Sequence, residues 1–377
     1  MKSCLLIAGE KSGEEHGLSF FSQLRNLQPD VKFFGVGGDE LEREGLELIY
    51  HLKDFSTWGI SEAIKKIPYY YKALKRIEDE VERRGCKTAI LIDYQTFNLK
   101  LARRLEKKGV KILYYVAPQA WAWKEWRAKV LEKCVDTLFC IIPFEKKWFM
   151  DRGVSKAISI RHPLLDHYEE DLKGFFRQKK DLEKDEVNLL LLPGSRNFEV
   201  FGLLPNYVSV AKKLKEKFNV KVSIVKSSSV SVHGYEPYAK VFDKEYTNDE
   251  LTVALKEADI CLAASGTVTL ACALYEVPTI VGYTGSLLNE YIFYQFVKYK
   301  GFISLANIVH NKEVFPELVT PYVTEYNILK RALRLFENHE HYNEVMDTLA
   351  TTVKTISGED ISIPEYMSKK ISESYEK

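Results

Sequence analysis

Four consecutive leucines, Leu189 to Leu192, followed by Pro193-Gly194-Ser195-Arg196, constrain the fold of this chain more than any other stretch. An uninterrupted apolar run of this kind reads as a strand buried on both faces, as in parallel sheets. The proline and glycine end the strand, and a helical pattern follows. Gly194 and Ser195 therefore sit where N–H groups at a helix start can meet an anion. Arg196 adds a planar, permanent cation suited to phosphate oxygens. The turn reads as a diphosphate-binding element. An ordinary strand-to-helix loop with a solvated arginine explains the same residues.

A parallel sheet needs strands alternating with helices, and the chain supplies them. Ser3 to Ala8 runs into Gly9-Glu10-Lys11-Ser12-Gly13, a Gly-rich loop, and then a helical pattern through Leu18, Phe21 and Leu24. Further strands are expected at Lys32–Val36, Thr88–Ile92, Lys111–Val116 and up to Cys140. Ligands in such sheets sit at the carboxyl ends of strands. Asp93 lies at one of these ends, inside LIDYQTFN. A carboxylate there is placed to act as a general base, or to cap the following helix. The PGSR strand opens a second series, with strands expected at Val220–Val225, Asp259–Ala263 and Thr279–Gly282. Ala264-Ser265-Gly266-Thr267-Val268-Thr269 lies between the last two, as a second anion-binding loop or a helix cap. Two such loops in one domain fit a nucleotide diphosphate.

Three segments stand apart. Trp58 to Leu74 carries Ile60, Ala63, Ile64 and Ile67 at helical spacing beside Lys65 and Lys66, with tyrosines after Pro68, which is expected to end or kink the helix. The pattern fits a helix packed on its own sheet or one entering lipid headgroups. Trp121, Trp123 and Trp126 read as a wall of the core or of a sugar or acyl site. The basic helix beginning at Arg127 reads as a solvated face. After Tyr283 the chain is rich in aromatics (Tyr291, Phe293, Tyr294, Phe296, Tyr299, Phe302), suited to packing or a subunit contact.

The 377 residues suit two domains, with the boundary near Asp166 and a charged, linker-proximal helix from Glu170 to Glu186. The apolar share of 46% is that of a globular chain. A net charge of +1 does not point to nucleic acid. The six cysteines form no CxxC pair or metal-ligand cluster and fit a reducing compartment. No apolar run reaches the roughly 18 residues of a membrane span, and the N-terminus does not read as a signal peptide.

Taken together, AGEKSGEEHG, FFGVGGDEL, WGISEAIKKIP, LIDYQTFNLKL, VAPQAWAW, IPFEKKWF, RHPLLD, LLPGSRNFEV, ASGTVTL, SLANI and FPELV resemble, in order and spacing, the lipid-A-disaccharide synthase family from end to end. The resemblance implies an α/β fold of GT-B architecture, two Rossmann-like domains with parallel sheets facing a cleft. Residues 1–165 would be the acceptor-side domain and 166–354 the nucleotide-sugar domain. A C-terminal helix at about 355–377 would pack back on the first domain or on a partner subunit. It implies inverting transfer from UDP-2,3-diacylglucosamine to 2,3-diacylglucosamine 1-phosphate, giving lipid A disaccharide 1-phosphate and UDP. No cofactor or metal is implied, the UDP-sugar being a substrate, and the chain has no D-x-D motif. The family implies a homodimer, peripheral at the cytoplasmic face of the inner membrane of a Gram-negative-type bacterium.

Residue by residue, the resemblance makes Asp93 the base that deprotonates the acceptor 6-hydroxyl. Gly194, Ser195, Arg196, Glu199, Ser265, Gly266, Thr267 and Tyr283 fall on the nucleotide side. Gly9, Glu10, Ser12, Gly13 and Asn307 fall on the acceptor side. Ile60, Ile64, Lys65, Lys66, Ile67 and Tyr71 would meet acyl chains or the membrane. The chain departs from the family pattern at Ala271, where a ribose-gripping glutamate is usual, and at Thr284, Thr96, Thr320 and Arg161. Losing the carboxylate–ribose hydrogen bond, worth ~1.5–3 kcal/mol, weakens nucleotide binding unless another group substitutes. Another GT-B sugar-nucleotide enzyme, or a catalytically weakened lipid-binding paralogue, are the alternatives.

Overall fold

Strands without polar alternation must be covered on both faces, and the architecture follows from that requirement. The computed structural model describes residues 2–55, 67–284 and 301–376. Ile60, Ile64, Lys65 and Lys66, and the aromatics Tyr291 to Tyr299, lie outside the described residues. By its contacts the chain divides into two units, Met1–Asp166 with Ser357–Lys377, and His167–Ile356.

The first unit holds a sheet of β1 (Lys2–Ala8), β2 (Val31–Gly37), β3 (Glu47–His51), β4 (Thr88–Ile92), β5 (Lys111–Tyr115), β6 (Thr137–Cys140) and β7 (Ala157–Ser159). Their spatial order is β3-β2-β1-β4-β5-β6-β7, and every pairing is parallel. β4 is buried at every position, and β1 at every position after Lys2. The chain moves outward from β1 through β2 to β3, then returns to the other side of β1 as β4. Strand order therefore reverses between β1 and β4, where ligands of open α/β sheets bind. The helix Ile363–Tyr375 also belongs to this unit. Its Tyr375 hydroxyl donates to the Ser3 carbonyl at 2.5 Å and accepts from the Lys87 N–H at 3.1 Å, while Gln28 donates to Ser368 and Ser372.

The second unit repeats the plan. It contains β8 (Val187–Leu192), β9 (Val220–Lys226), β10 (Lys244–Thr247), β11 (Ile260–Ala264), β12 (Thr279–Tyr283) and β13 (Glu317–Val319). The order is β10-β9-β8-β11-β12-β13, again all parallel, and the reversal falls between β8 and β11.

Some elements differ from the sequence-based expectation. Residues 170–186 do not form one helix: Glu169–Leu172 is helical, and Gly174 then turns the chain at φ +71°. The irregular segment that follows is held by Arg177, which is buried. Its guanidinium donates to the carbonyls of Tyr275 (2.8 Å), Leu255 (2.7 Å) and Ala258. Pro68 is the second described residue of the helix Ile67–Arg83, and the segment that it was expected to end or kink lies outside the described residues. The six cysteines are free and buried. No helix among the described residues is long and apolar enough to cross a membrane.

Candidate functional site

The two reversal points carry the polar residues that the sequence singled out. In the first unit, Gly9 and Glu10 follow β1, and Asp93 follows β4, directly beside it. A cavity of about 710 Å³ opens there. Glu10, Asp93, Gln95, Thr96, Lys100 and Arg127 form its polar lining, and Ile67, Tyr70, Tyr71, Leu74, Tyr94, Phe97 and Trp123 its apolar side.

The backbone at Asp93 is held in an unusual conformation. Asp93 and Tyr94 have φ of 44° and 42°, a left-handed region that costs free energy for residues with a Cβ. Hydrogen bonds maintain it. The Asp93 N–H donates to Tyr115 at 2.9 Å. Its carbonyl accepts from the Asn98 amide at 2.9 Å and from the Tyr114 hydroxyl at 2.8 Å. Asn98 also donates to the Ile92 carbonyl at 3.0 Å. Opposite, a Cβ on Gly9 would lie 2.5 Å from the Tyr94 ring, so only glycine lets the two loops approach. The Tyr94 hydroxyl is fixed by the Phe55 carbonyl at 3.2 Å and by the Tyr70 hydroxyl at 3.0 Å.

Burial, and then the negative charge of Glu10, raise the Asp93 carboxyl to about 6. Glu10 is itself raised by desolvation. A carboxyl at this value is ionised near neutrality yet more basic than a surface aspartate. Glu145, fully buried, accepts from the Trp121 indole N–H at 2.9 Å and the Ile142 N–H at 3.2 Å, and burial pushes it up to about 8.

The remaining acceptor-side expectations divide. Ser12 and Gly13 lie not in a loop but in the first turn of the helix Lys11–Leu27, Ser12 exposed and Gly13 buried. Ile67 and Tyr71 line the cavity. Asn307 belongs to the second unit and is fully buried. Its amide nitrogen donates to the Phe315 carbonyl (2.7 Å) and Glu317 (2.8 Å), and its oxygen accepts from the N–H groups of Val314 and Phe315 at 2.8 Å each. Asn307 therefore ties a loop together and has no group left for a ligand. Trp123 and Trp126 do not wall the core, being 42% and 53% exposed, whereas Trp121 is partly buried against Phe144 and Glu145. Conversely Arg127, read as part of a solvated face, is 2% exposed.

In the second unit, the ends of β8 and β11 enclose a cavity of about 390 Å³ lined by Gly194, Ser195, Arg196, Glu199, Asn248, Ser265, Gly266 and Thr267, among others. Gly194 has φ +109°, and a Cβ on it would meet Glu199 at 2.5 Å. The Glu199 carboxylate accepts from the N–H groups of Ser195 (3.0 Å) and Arg196 (3.2 Å). Of the two amides expected to cradle an anion, that of Ser195 is thus already held by the chain's own carboxylate, which caps the helix Asn197–Lys217, and that of Gly194 is not. What remains for a ligand is the Gly194 N–H, the Arg196 guanidinium, whose side chain is largely exposed, and the opposite loop. There the Ser265 N–H donates to Gly282, whereas no acceptor meets the N–H groups of Gly266, Thr267 and Val268 among the described residues. Tyr283 ends β12, one strand further along, and does not line the cavity. Ala271 is buried within the helix Val268–Leu274, and the carboxamide of Asn248 offers a polar group on the cavity wall.

Two all-parallel α/β units, each with a polar cavity at its strand reversal, define a protein of the GT-B class. Solved structures with this fold include CalG4, the calicheamicin glycosyltransferase (TM-score 0.58, 12% identity, 99% of this chain and 97% of that one). Another is a UDP-GlcNAc 2-epimerase from Neisseria meningitidis bound to UDP-GlcNAc (TM-score 0.52, 12% identity, 99% of each chain). At such identity the likeness concerns the fold alone.

The sequence narrows the class. The family model described as lipid-A-disaccharide synthetase matches residues 4–371. The lipid-A-disaccharide synthase of Myxococcus xanthus (strain DK1622) is 33% identical over 362 residues, 92% of this chain and 91% of its own. Lipid-A-disaccharide synthase 1 of Legionella pneumophila (strain Lens) is 32% identical over 358 residues, 91% of this chain and 90% of its own. The chain belongs to the lipid-A-disaccharide synthase family of glycosyltransferases.

Proposed function

We propose that the chain transfers a diacylglucosaminyl group from its UDP derivative to the 6-hydroxyl of diacylglucosamine 1-phosphate, releasing UDP and the lipid A disaccharide 1-phosphate with inversion. The observation that carries this is Asp93: a residue at a strand reversal, its backbone carbonyl held by Asn98 and Tyr114, its carboxyl raised to about 6, lining a cavity with one apolar side. Asp93 accepts the hydroxyl proton as the sugar oxygen attacks the anomeric carbon. In the second unit, Arg196 and the free N–H groups of Gly266 and Thr267 stabilise the charge that grows on the departing diphosphate. Ile67, Tyr71, Leu74 and Phe97 offer apolar surface to an acyl chain. Because both substrates carry such chains, the enzyme works at a membrane surface.

Presenting the purified chain with the diacylated donor and, separately, with soluble UDP-N-acetylglucosamine tests the reading. Transfer from the diacylated donor is expected. Equal or better use of the unacylated sugar nucleotide contradicts it.

Ala271 favours one second reading, a paralogue that binds lipid without turning over. Calorimetric titration of UDP separates the two, since that paralogue shows no binding at millimolar nucleotide.

A further inference from the structure

Arg127 is the largest of the fully buried side chains and opens the helix Arg127–Cys134. One terminal nitrogen donates to the Gln95 side chain, while its buried Nε has no hydrogen-bond partner. No carboxylate pairs with it among the described residues, and its electrostatic neighbours are the Tyr114 phenol and the like-charged Lys124. Removing a charge from water without a counter-charge costs several kcal/mol, so buried guanidinium groups are ordinarily paired. Arg177 shows the ordinary solution in the same chain, with three carbonyls around its fork. Arg127 instead lies against the Trp123 ring, 5.1 Å from its centroid, and lines the same cavity as Asp93. It is not spent on Asp93, whose charged neighbour is Glu10. Lys100 supplies a second cation to the same cavity, its ammonium 5.2 Å from the Tyr71 ring centroid.

We propose that Arg127, assisted by Lys100, is the binding site for the phosphate of the acceptor, which orients the sugar so that its hydroxyl meets Asp93. A phosphomonoester carries about −1.5 to −2 charge near neutrality, which two cations match. The planar fork of Arg127 can donate to two phosphate oxygens at once, with its unused Nε–H in the same plane. This rests on the reading of the chain as a disaccharide synthase, and it names the group that selects the acceptor.

The test compares diacylglucosamine 1-phosphate with diacylglucosamine lacking the phosphate, at saturating donor. Wild type is expected to show a KM at least about tenfold lower for the phosphorylated acceptor; equal KM values overturn the proposal without any substitution. R127Q and R127K are expected to raise that KM by about ten- to a hundredfold, leaving the donor KM and the KM for the phosphate-free acceptor unchanged. R127K keeps the charge but not the fork, and it serves if R127Q fails to fold, as judged by melting temperature and UDP binding. An equal loss on both acceptors, or a fall in kcat alone, overturns the assignment and marks Arg127 as structural. Wild type that makes no disaccharide from any acceptor contradicts the synthase reading itself, an outcome distinct from the others.

Discussion

Asp93 and Glu10 end two neighbouring parallel strands, one on each side of the strand reversal in the first unit, and the charge of Glu10 raises Asp93. A base must be ionised to act, so kcat/KM is expected to fall as pH drops through about 6. Glu10→Gln removes the like charge and lets Asp93 ionise more readily. The acid limb of the pH profile should therefore move to lower pH. A limb that stays in place, or moves up, shows that Glu10 does not act on the base.

The left-handed backbone at Asp93 depends on groups that never touch substrate. Asn98→Ala leaves two carbonyls, those of Ile92 and Asp93, without their amide donor. The Asp93 carbonyl keeps the Tyr114 hydroxyl, so the expected loss is about 1–3 kcal/mol in all. Tyr114→Phe removes one donor and should cost about 1 kcal/mol. Both variants should lower kcat more than they raise either KM, because the base is misaimed while the cavity survives. Denaturant titration and steady-state kinetics check the two parts.

Glu199 organises the PGSR turn from within. Glu199→Ala frees the N–H groups of Ser195 and Arg196 and removes a helix cap, worth about 1 kcal/mol. UDP affinity should fall by about tenfold as the turn loses its shape. Titration calorimetry measures it, and unchanged affinity at lowered stability confines Glu199 to capping.

Glu145 gives the fold a pH dependence of definite sign. Its carboxyl ionises at about 8 in the folded chain, against an ordinary 4.5. Between these values the folded state holds a proton that the unfolded state has released. Its contribution is therefore complete below about 4.5 and lost as pH rises through about 8. Glu145→Gln should flatten this decline when melting temperature is followed against pH. A parallel decline in wild type and variant excludes Glu145 as its source.

Legibility from sequence followed burial. β1, β4, β5, β8, β11 and β12 announce themselves as apolar runs because both faces are covered. The strands not anticipated, β3, β7, β10 and β13, are the four sheet edges. Each has a single neighbour; β7 and β13 have three residues each, β10 is mostly exposed and β3 is only partly buried, so no apolar signal marks them. Asp93 was readable from its place after a strand. Its coupling to Glu10 was not, since residues 83 positions apart become neighbours only when β1 and β4 pair. Arg127 was hidden by composition: next to Lys129 and Lys133 it looks solvated, and only the packing of Trp123 and Gln95 around it shows otherwise. Asn307, which the resemblance placed on the acceptor side, has its side chain engaged by Val314, Phe315 and Glu317 of the second unit, a set of contacts that only the folded chain brings together.

The most direct measurement is turnover of Asp93→Asn against wild type with both diacylated substrates, with product analysis and UDP titration on the same preparations. Wild type should yield the disaccharide 1-phosphate and UDP. The variant should fold, bind UDP as wild type does, and turn over about 10²- to 10⁴-fold more slowly. Near-full turnover by Asp93→Asn would contradict its role as the base and, with it, the mechanism proposed for this chain.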